Sequence, residues 1–193
     1  NSMALYRLLN RSGWEQHKLA RVVYKLAYRL IGNDSWVYRV RRWPAGFELF
    51  PWIELKTEER HRLIQHWHDP QQFDPVLNPF ERETQITSNS LGLRVKGEVA
   101  GWCVSWSLGS GPDERRTASG ARLFVRPALR QRGLAVMLLG EYLSRMPEAG
   151  LDYLIFSIFP ENELMLRVLK KRLRPFLTGT REIWEVRKTF LQP

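Results

Sequence analysis

Cysteine is nearly missing from this chain: Cys103 is the only one, so no internal disulfide can form and CxxC or four-cysteine metal sites are excluded. No run approaches the roughly eighteen consecutive apolar residues of a membrane helix. No charged, apolar, small-residue leader opens the chain either, which sets the expectation of a cytoplasmic protein with no membrane span. Asn1-Ser2 ahead of Met3 read as the scar of a removed purification tag, with Met3 as the natural start. Histidine is sparse, and three of the four crowd one stretch as His61, His66 and His68. His66 and His68 are two apart and point apart on a helix, which argues for solvated or capping side chains and no metal site. Acids are outnumbered, 20 Asp and Glu against 30 Lys and Arg, for a net charge of +10. That surplus biases the surface toward acidic partners such as nucleic acid, anionic lipid, an acidic carrier protein or a phosphorylated cofactor, without choosing among them. Neither internal repeats nor low-complexity segments occur.

What is present suits one core of 193 residues. The arm from Met3 to Arg42 is the most basic part, with only Glu15 and Asp34 against its arginines and lysines. From Glu15 to Ile31, Leu19, Val22, Val23, Leu26, Leu30 and Ile31 recur at spacings of three and four. Lys18, Arg21, Lys25 and Arg29 fall largely on other faces, so the spacing predicts an amphipathic basic helix. The expected organisation is therefore a basic helical extension over residues 1–35 and one domain over 36–193. Trp36–Arg42 and Phe47–Glu54 read as a hairpin around Pro44-Ala45-Gly46. A helix should start at Thr57, whose hydroxyl can cap it and whose following Glu58 and Glu59 suit the dipole. Pro70, Pro75 and Pro79 then impose a loop to about Thr84, a candidate substrate flap or a plain connection.

Strand character returns over Leu91–Val95 and Glu98–Leu108 around the tight Lys96-Gly97 link. A strand at Ala121–Val125, a helix from Gly133 to Met146 and a strand within Leu151–Phe159 imply a parallel pair with a right-handed crossover. Asn162–Leu173 reads as a further helix, and Arg174–Leu177 with Arg181–Phe190 as a terminal hairpin.

The segment that carries chemistry is Arg130-Gln131-Arg132-Gly133-Leu134-Ala135, a basic turn that leaves a strand after Pro127 and enters an apolar helix. Free N–H groups at a helix start, the aligned peptide dipoles and small residues that admit phosphate oxygens make an anion site for a diphosphate. A basic loop that merely caps a buried helix would look the same by spacing alone.

This turn resembles the signature of the GNAT acyltransferases: Arg or Gln, two residues, Gly, one residue, then Gly or Ala. Arg130, Gly133 and Ala135 fill it. The preceding Leu123-Phe124-Val125-Arg126-Pro127 is similar to the family's strand 4, and Asn162 opening a helix is similar to its second cofactor motif. The resemblance runs from about Trp36 to Phe190. It implies an α/β fold with a mixed sheet whose strands 4 and 5 splay apart. It also implies pantetheine pairing near Phe124 and Val125, the pyrophosphate on the amides of Gln131, Arg132, Gly133, Leu134 and Ala135, and Asn162 holding the arm or the strand geometry. The activity implied is acyl transfer, acetyl above all, from acyl-CoA to a primary amine on a small molecule or peptide.

Two expected residues are absent. The family's usual tyrosine acid corresponds to Leu169, and Ser119-Gly120-Ala121-Arg122-Leu123 carries no carboxylate. Water could serve either role, and Tyr153, Ser157, Cys103, Ser105, Glu48, Glu54 and His66 remain as other proton carriers, none preferred, so no catalytic residue is assigned. The basic charge leaves open an acyl-carrier-protein donor, and the missing acid and base leave open a catalytically silent acyl-CoA-binding module. A nucleic-acid binder has no helix-turn-helix, zinc-finger or RNA-binding signature behind it.

Overall fold

The computed structural model describes residues 14–188 apart from 34, 40–42, 67–68, 70–72, 84–85, 110–115 and 131–132. Seven strands form one sheet in the order β2-β3-β4-β5-β6-β1-β7, with β1 Trp14–Ala27, β2 Phe47–Pro51, β3 Leu91–Val95, β4 Glu98–Ser107, β5 Thr117–Val125, β6 Tyr153–Ile158 and β7 Leu177–Lys188. Every neighbouring pair is antiparallel except β5 with β6. Among the described residues the α-helices are α1 Thr57–Gln65, α2 Leu134–Ser144 and α3 Glu163–Val168, the last continuing as a π-turn over Leu169–Leu173.

Successive strand residues alternate between two cores, as the pleat requires. Cys103 and Val125 join a cluster with Leu138, Tyr142 and Leu143 of α2 and with Leu154 and Leu173. Trp102 and Phe124 join Phe50, Trp52, Leu63 of α1 and Phe73 on the other face. There Trp102 stacks on Phe124 with ring centroids 4.4 Å apart. Helix α1 is fixed to β3 by Arg94, whose Nε and Nη2 donate to the Glu59 carboxylate at 2.7 and 3.0 Å. That hydrogen bonding holds Glu59 below the usual carboxylate range against the opposing effect of burial. The guanidinium also lies 3.6 Å from the Phe50 ring centroid. The helix starts at the expected place, but its cap is the Glu59 carboxylate accepting from the Lys56 N–H at 2.9 Å, not the Thr57 hydroxyl.

The basic segment from Glu15 to Ile31 is the clearest departure from expectation. It is not a helix: Trp14–Ala27 is a strand threaded between β6 and β7, followed by a 3-10 turn at Tyr28–Leu30. Three register shifts in its pairing with β7, at Gln16/Lys18, Leu19/Arg21 and Lys25/Leu26, break strict alternation and leave a helix-like apolar spacing. Both partners lie more than a hundred residues downstream, so local pattern carried no sign of them. Trp36–Tyr38 is likewise a 3-10 turn against α2 rather than a strand, and residues 40–42 lie outside the described ones. Phe47–Pro51 pairs with β3 instead. The expected terminal hairpin is one continuous strand, β7, because β1 offers it an edge along its whole length. The β3–β4 hairpin forms as expected, with positive φ at Lys96 (51°) and Gly97 (81°).

The parallel pair opens as expected of a splayed sheet. β5 and β6 pair only at Thr117↔Tyr153, Ala118↔Leu154 and Ser119↔Ile155, after which Gly120 takes φ 68° and pairing ceases. A bulge between Val104 and Trp106 of β4 sits at the same level. Beyond it β5 stays with β4 and β6 with β1, so the sheet divides.

Candidate functional site

The division leaves one edge of β5 without a strand partner, and register decides which residues face it. The Arg126 N–H donates to the Ala100 carbonyl at 2.8 Å. By alternation Phe124 and Arg122 also spend their main-chain groups on β4, while Leu123 and Val125 turn theirs into the gap. The open strand edge thus presents the main-chain groups of Leu123 and Val125. Phe124 contributes its buried ring instead.

The gap opens into a cleft of about 470 Å³ between the end of β5, the start of α2 and α3, lined by Phe124, Val125, Arg130, Ala135, Asn162 and Met165 among others. Five of the sequence-predicted residues thus meet in one space. Gly133 flanks it as the residue before α2, in the left-handed region at φ 73° with open space where a Cβ would stand. Leu134 turns its side chain into the core, so only its backbone can serve a ligand. Gln131 and Arg132 lie outside the described residues. The Arg130 Nε donates to the Val125 carbonyl at 3.2 Å, tying the basic turn to the strand end. The first N–H groups of α2 have no acceptor within their own helix and begin at this cleft. Asn162 caps α3, its Oδ1 accepting from the Met165 N–H at 3.0 Å, and lines the cleft with the same side chain.

From the cleft a narrower slot of about 90 Å³ runs between β5 and β6, walled by Leu123, Leu139, Phe156, Ile158 and Met165 and covered by Val76 and Leu77. Its polar side chains are Arg122, Ser157 and Asn162. Of the seven proton-carrier candidates, only Ser157 reaches it. Cys103 is wholly buried away from the slot and burial pushes its thiol up, which removes it as a nucleophile. Ser105 belongs to a buried network in which its hydroxyl meets those of Tyr142 and Thr87, each at 2.7 Å. Glu48 pairs with Arg94, and the Tyr153 ring lies under the Lys25 ammonium. His66 lines a separate recess beside Arg62 and Arg126, and His68 lies outside the described residues. Leu169 is buried in the core behind the slot.

Sequence reasoning missed Asp74 and Glu161, which bring carboxylates to the cleft, and the pair Arg122–Glu81. The only local signal was that Asp74 and Glu81 stand in the proline-broken flap. Among the described residues no group of His, Cys, Asp and Glu could hold a metal ion, and no helix is long and apolar enough to cross a membrane.

A seven-stranded mixed sheet whose single parallel pair parts beside a helix start defines the class of fold. The family model for the acetyltransferase (GNAT) family matches residues 43–173, and the chain belongs to that family. Solved structures agree on the fold. A tandem GNAT protein from the clavulanic acid biosynthesis pathway is 12% identical at a TM-score of 0.66, over 98% of this chain and 59% of that one. A Drosophila protein is 17% identical at 0.53, over 97% and 57%. A GNAT-related protein from Kribbella flavida is 13% identical at 0.50, over 80% and 54%. The chain thus spans little more than half the length of these relatives. Comparison with curated proteins found no match.

Proposed function

We propose that the protein transfers a short acyl group from acyl-CoA to a primary amine by direct attack on the thioester. One observation carries the reading: the open edge of β5 and the start of α2 converge on a single cleft that continues into an apolar slot. Leu123 and Val125 would hold the amides of the pantetheine arm. The backbone of Leu134 and Ala135, with Arg130 and the Gln131 and Arg132 that share its turn, would hold the pyrophosphate. Acyl-CoA supplies an activated carbonyl. The slot is small beside the cleft and walled by apolar side chains, which favours an acetyl or similarly small chain. Leu169 and the strand without a carboxylate take the usual acid and base away, but a thiolate leaves readily because thiol pKa values lie only near ~8.5. The amine, not an enzyme nucleophile, makes the new bond, since Cys103 lies outside the slot.

The test is calorimetric titration with coenzyme A and acetyl-CoA, native against Arg130→Ala. Both ligands should bind the native protein, and the variant should bind roughly tenfold more weakly, the loss of one charge-assisted contact. Absence of binding, or an affinity untouched by Arg130→Ala, refutes the cofactor reading. Continuous thiol release with primary amines then tests turnover.

A further inference from the structure

The irregular pairing of β1 decides which of its side chains share a face. In β7, Gly179, Arg181, Ile183 and Glu185 lie on one side of the sheet, and their β1 partners are Lys25, Val23, Arg21 and Lys18. Strict alternation from Lys25 would send Lys18 to the other side; the shift between Leu19 and Arg21 brings it back. On the opposite flank β6 adds Ile155 beside Lys25 and Ser157 beside Val23. Two contacts agree with this parity. The Lys25 ammonium lies 4.0 Å from the Tyr153 ring centroid, and Lys18 Nζ lies 3.8 Å from the Glu185 carboxylate.

Tyr24, Leu26, Leu154 and Phe156 point the other way, into the core shared with α2. The cluster under α1 draws its strand residues from β2, β4 and β5. Val23, Ile155 and Ile183 belong to neither core and stay half-buried, while Lys18, Arg21, Lys25 and Arg181 are exposed among them. Lys18 has Glu185, but among the described residues Arg21 and Arg181 pair with no carboxylate. The result is an apolar strip studded with unspent cations. It leads to the slot, because Ser157 belongs to this face and also lines the slot. Ser157, Val23 and Arg181 form one row across three strands. At a strand spacing of ~4.8 Å, Arg181 branches from the sheet about 10 Å from Ser157.

The cations call for an anionic occupant and the apolar strip for one with apolar side chains. A nucleic acid would want open aromatic platforms, and the Tyr153 ring already lies under Lys25. A second copy of this chain would bring a further +10 of like charge. We infer that this face docks an acidic polypeptide whose amine enters the slot beside Ser157. This rests on the acyl-transfer reading of the slot, and it narrows the acceptor to an amine flanked by acidic residues on a polypeptide.

Two short N-acetylated peptides test this, each with one central lysine, flanked by alternating glutamate and valine in one and by alternating glutamine and valine in the other. Fluorescence anisotropy measures both against the native protein and the pair Arg21→Gln with Arg181→Gln. The pair Arg62→Gln with Lys96→Gln removes the same charge at the β3 end of the sheet and serves as control, and melting curves verify folding. The native protein should prefer the glutamate peptide about tenfold, the worth of two exposed ion pairs. The preference should approach parity in Arg21→Gln with Arg181→Gln and persist in the control pair. With acetyl-CoA present at low peptide concentration, lysine acetylation should show the same ratio, while thiol release with a small primary amine should be alike in all three proteins. Equal binding of the two peptides, or a preference lost equally in the control pair, overturns the surface. Single-stranded oligothymidylate or phosphatidylserine vesicles bound more tightly than the glutamate peptide through the same two arginines overturn the occupant. A glutamate peptide that binds but is acetylated no faster than its glutamine counterpart overturns the route into the slot. If acetyl-CoA does not bind, the acyl-transfer reading falls and that route with it, while anisotropy decides the docking by itself.

Discussion

Replacing Gly120 by alanine probes what opens the sheet. Gly120 sits at φ 68°, a region that costs an L-residue about 1–2 kcal/mol. A Cβ added there would stand 2.7 Å from a Trp106 ring carbon, and that residue is only 3% exposed. Overpacking of this kind adds about 1–3 kcal/mol. Gly97 is the internal control, because it has φ 81° but nothing within 4 Å of its would-be Cβ. Gly97→Ala should therefore lose only the backbone part, about 1–2 kcal/mol, and Gly120→Ala about 2–5 kcal/mol. At roughly 2–4 °C per kcal/mol for a chain of this size, Gly120→Ala should melt about 10 °C below the native protein. Coenzyme A affinity, measured by titration at a temperature where the variant is folded, should fall too, since the strain lies where β5 turns away from β6. A Gly120→Ala protein that melts with Gly97→Ala and binds coenzyme A normally would refute the argument that the Trp106 contact shapes the split.

Three further outcomes follow from other parts of the structure. Arg94 depresses the Glu59 pKa, so the pair stabilises the fold above the ordinary glutamate value of 4.5 and loses that contribution as pH falls through the lower folded value. Urea unfolding of Glu59→Gln should show a cost of about 2–3 kcal/mol at pH 7, and a shallower decline than native on acidification below 4.5; parallel declines would contradict the assignment. Tyr142→Phe removes the hydroxyl that meets Ser105 while Thr87 still does, and should cost about 1 kcal/mol in the same assay, whereas a loss above about 3 kcal/mol would mean the network does more than fill hydrogen bonds. If the slot sets chain length, thiol-release rates should fall steeply from acetyl-CoA to octanoyl-CoA, and equal rates would show that the slot does not bound the acyl group.

Legibility in the sequence tracked the range of the interactions involved. Lys96-Gly97 foretold its hairpin because positive φ at two adjacent residues is a local demand. Pro127, Gly133 and the apolar run from Leu134 marked the strand-turn-helix unit for the same reason, and Asn162 capped the helix it was expected to open. β1 failed because a strand exists only through its partners, and Val22 pairs with Ile158 and Glu182. The parity of β5 was also hidden. Which of Phe124 and Val125 turns its amide toward the gap depends on the register with β4, and a shift of one residue would exchange them.

By itself the sequence determined one local unit of the candidate site: a glycine-bearing basic turn at the start of a helix, where every contributing group lies within six residues. The resemblance to the family's motifs, not local pattern, set Leu169 at the place of its usual acid and marked the lack of a carboxylate on β5. Only the tertiary structure decided which distant segments meet β5. Glu81 and Arg122 stand 41 residues apart, and no local pattern relates a flap carboxylate to a strand guanidinium. Their meeting follows from the packing of Phe80 on Trp52 and the bond from Trp102 to Leu77, contacts that exist only once both faces of the sheet are covered.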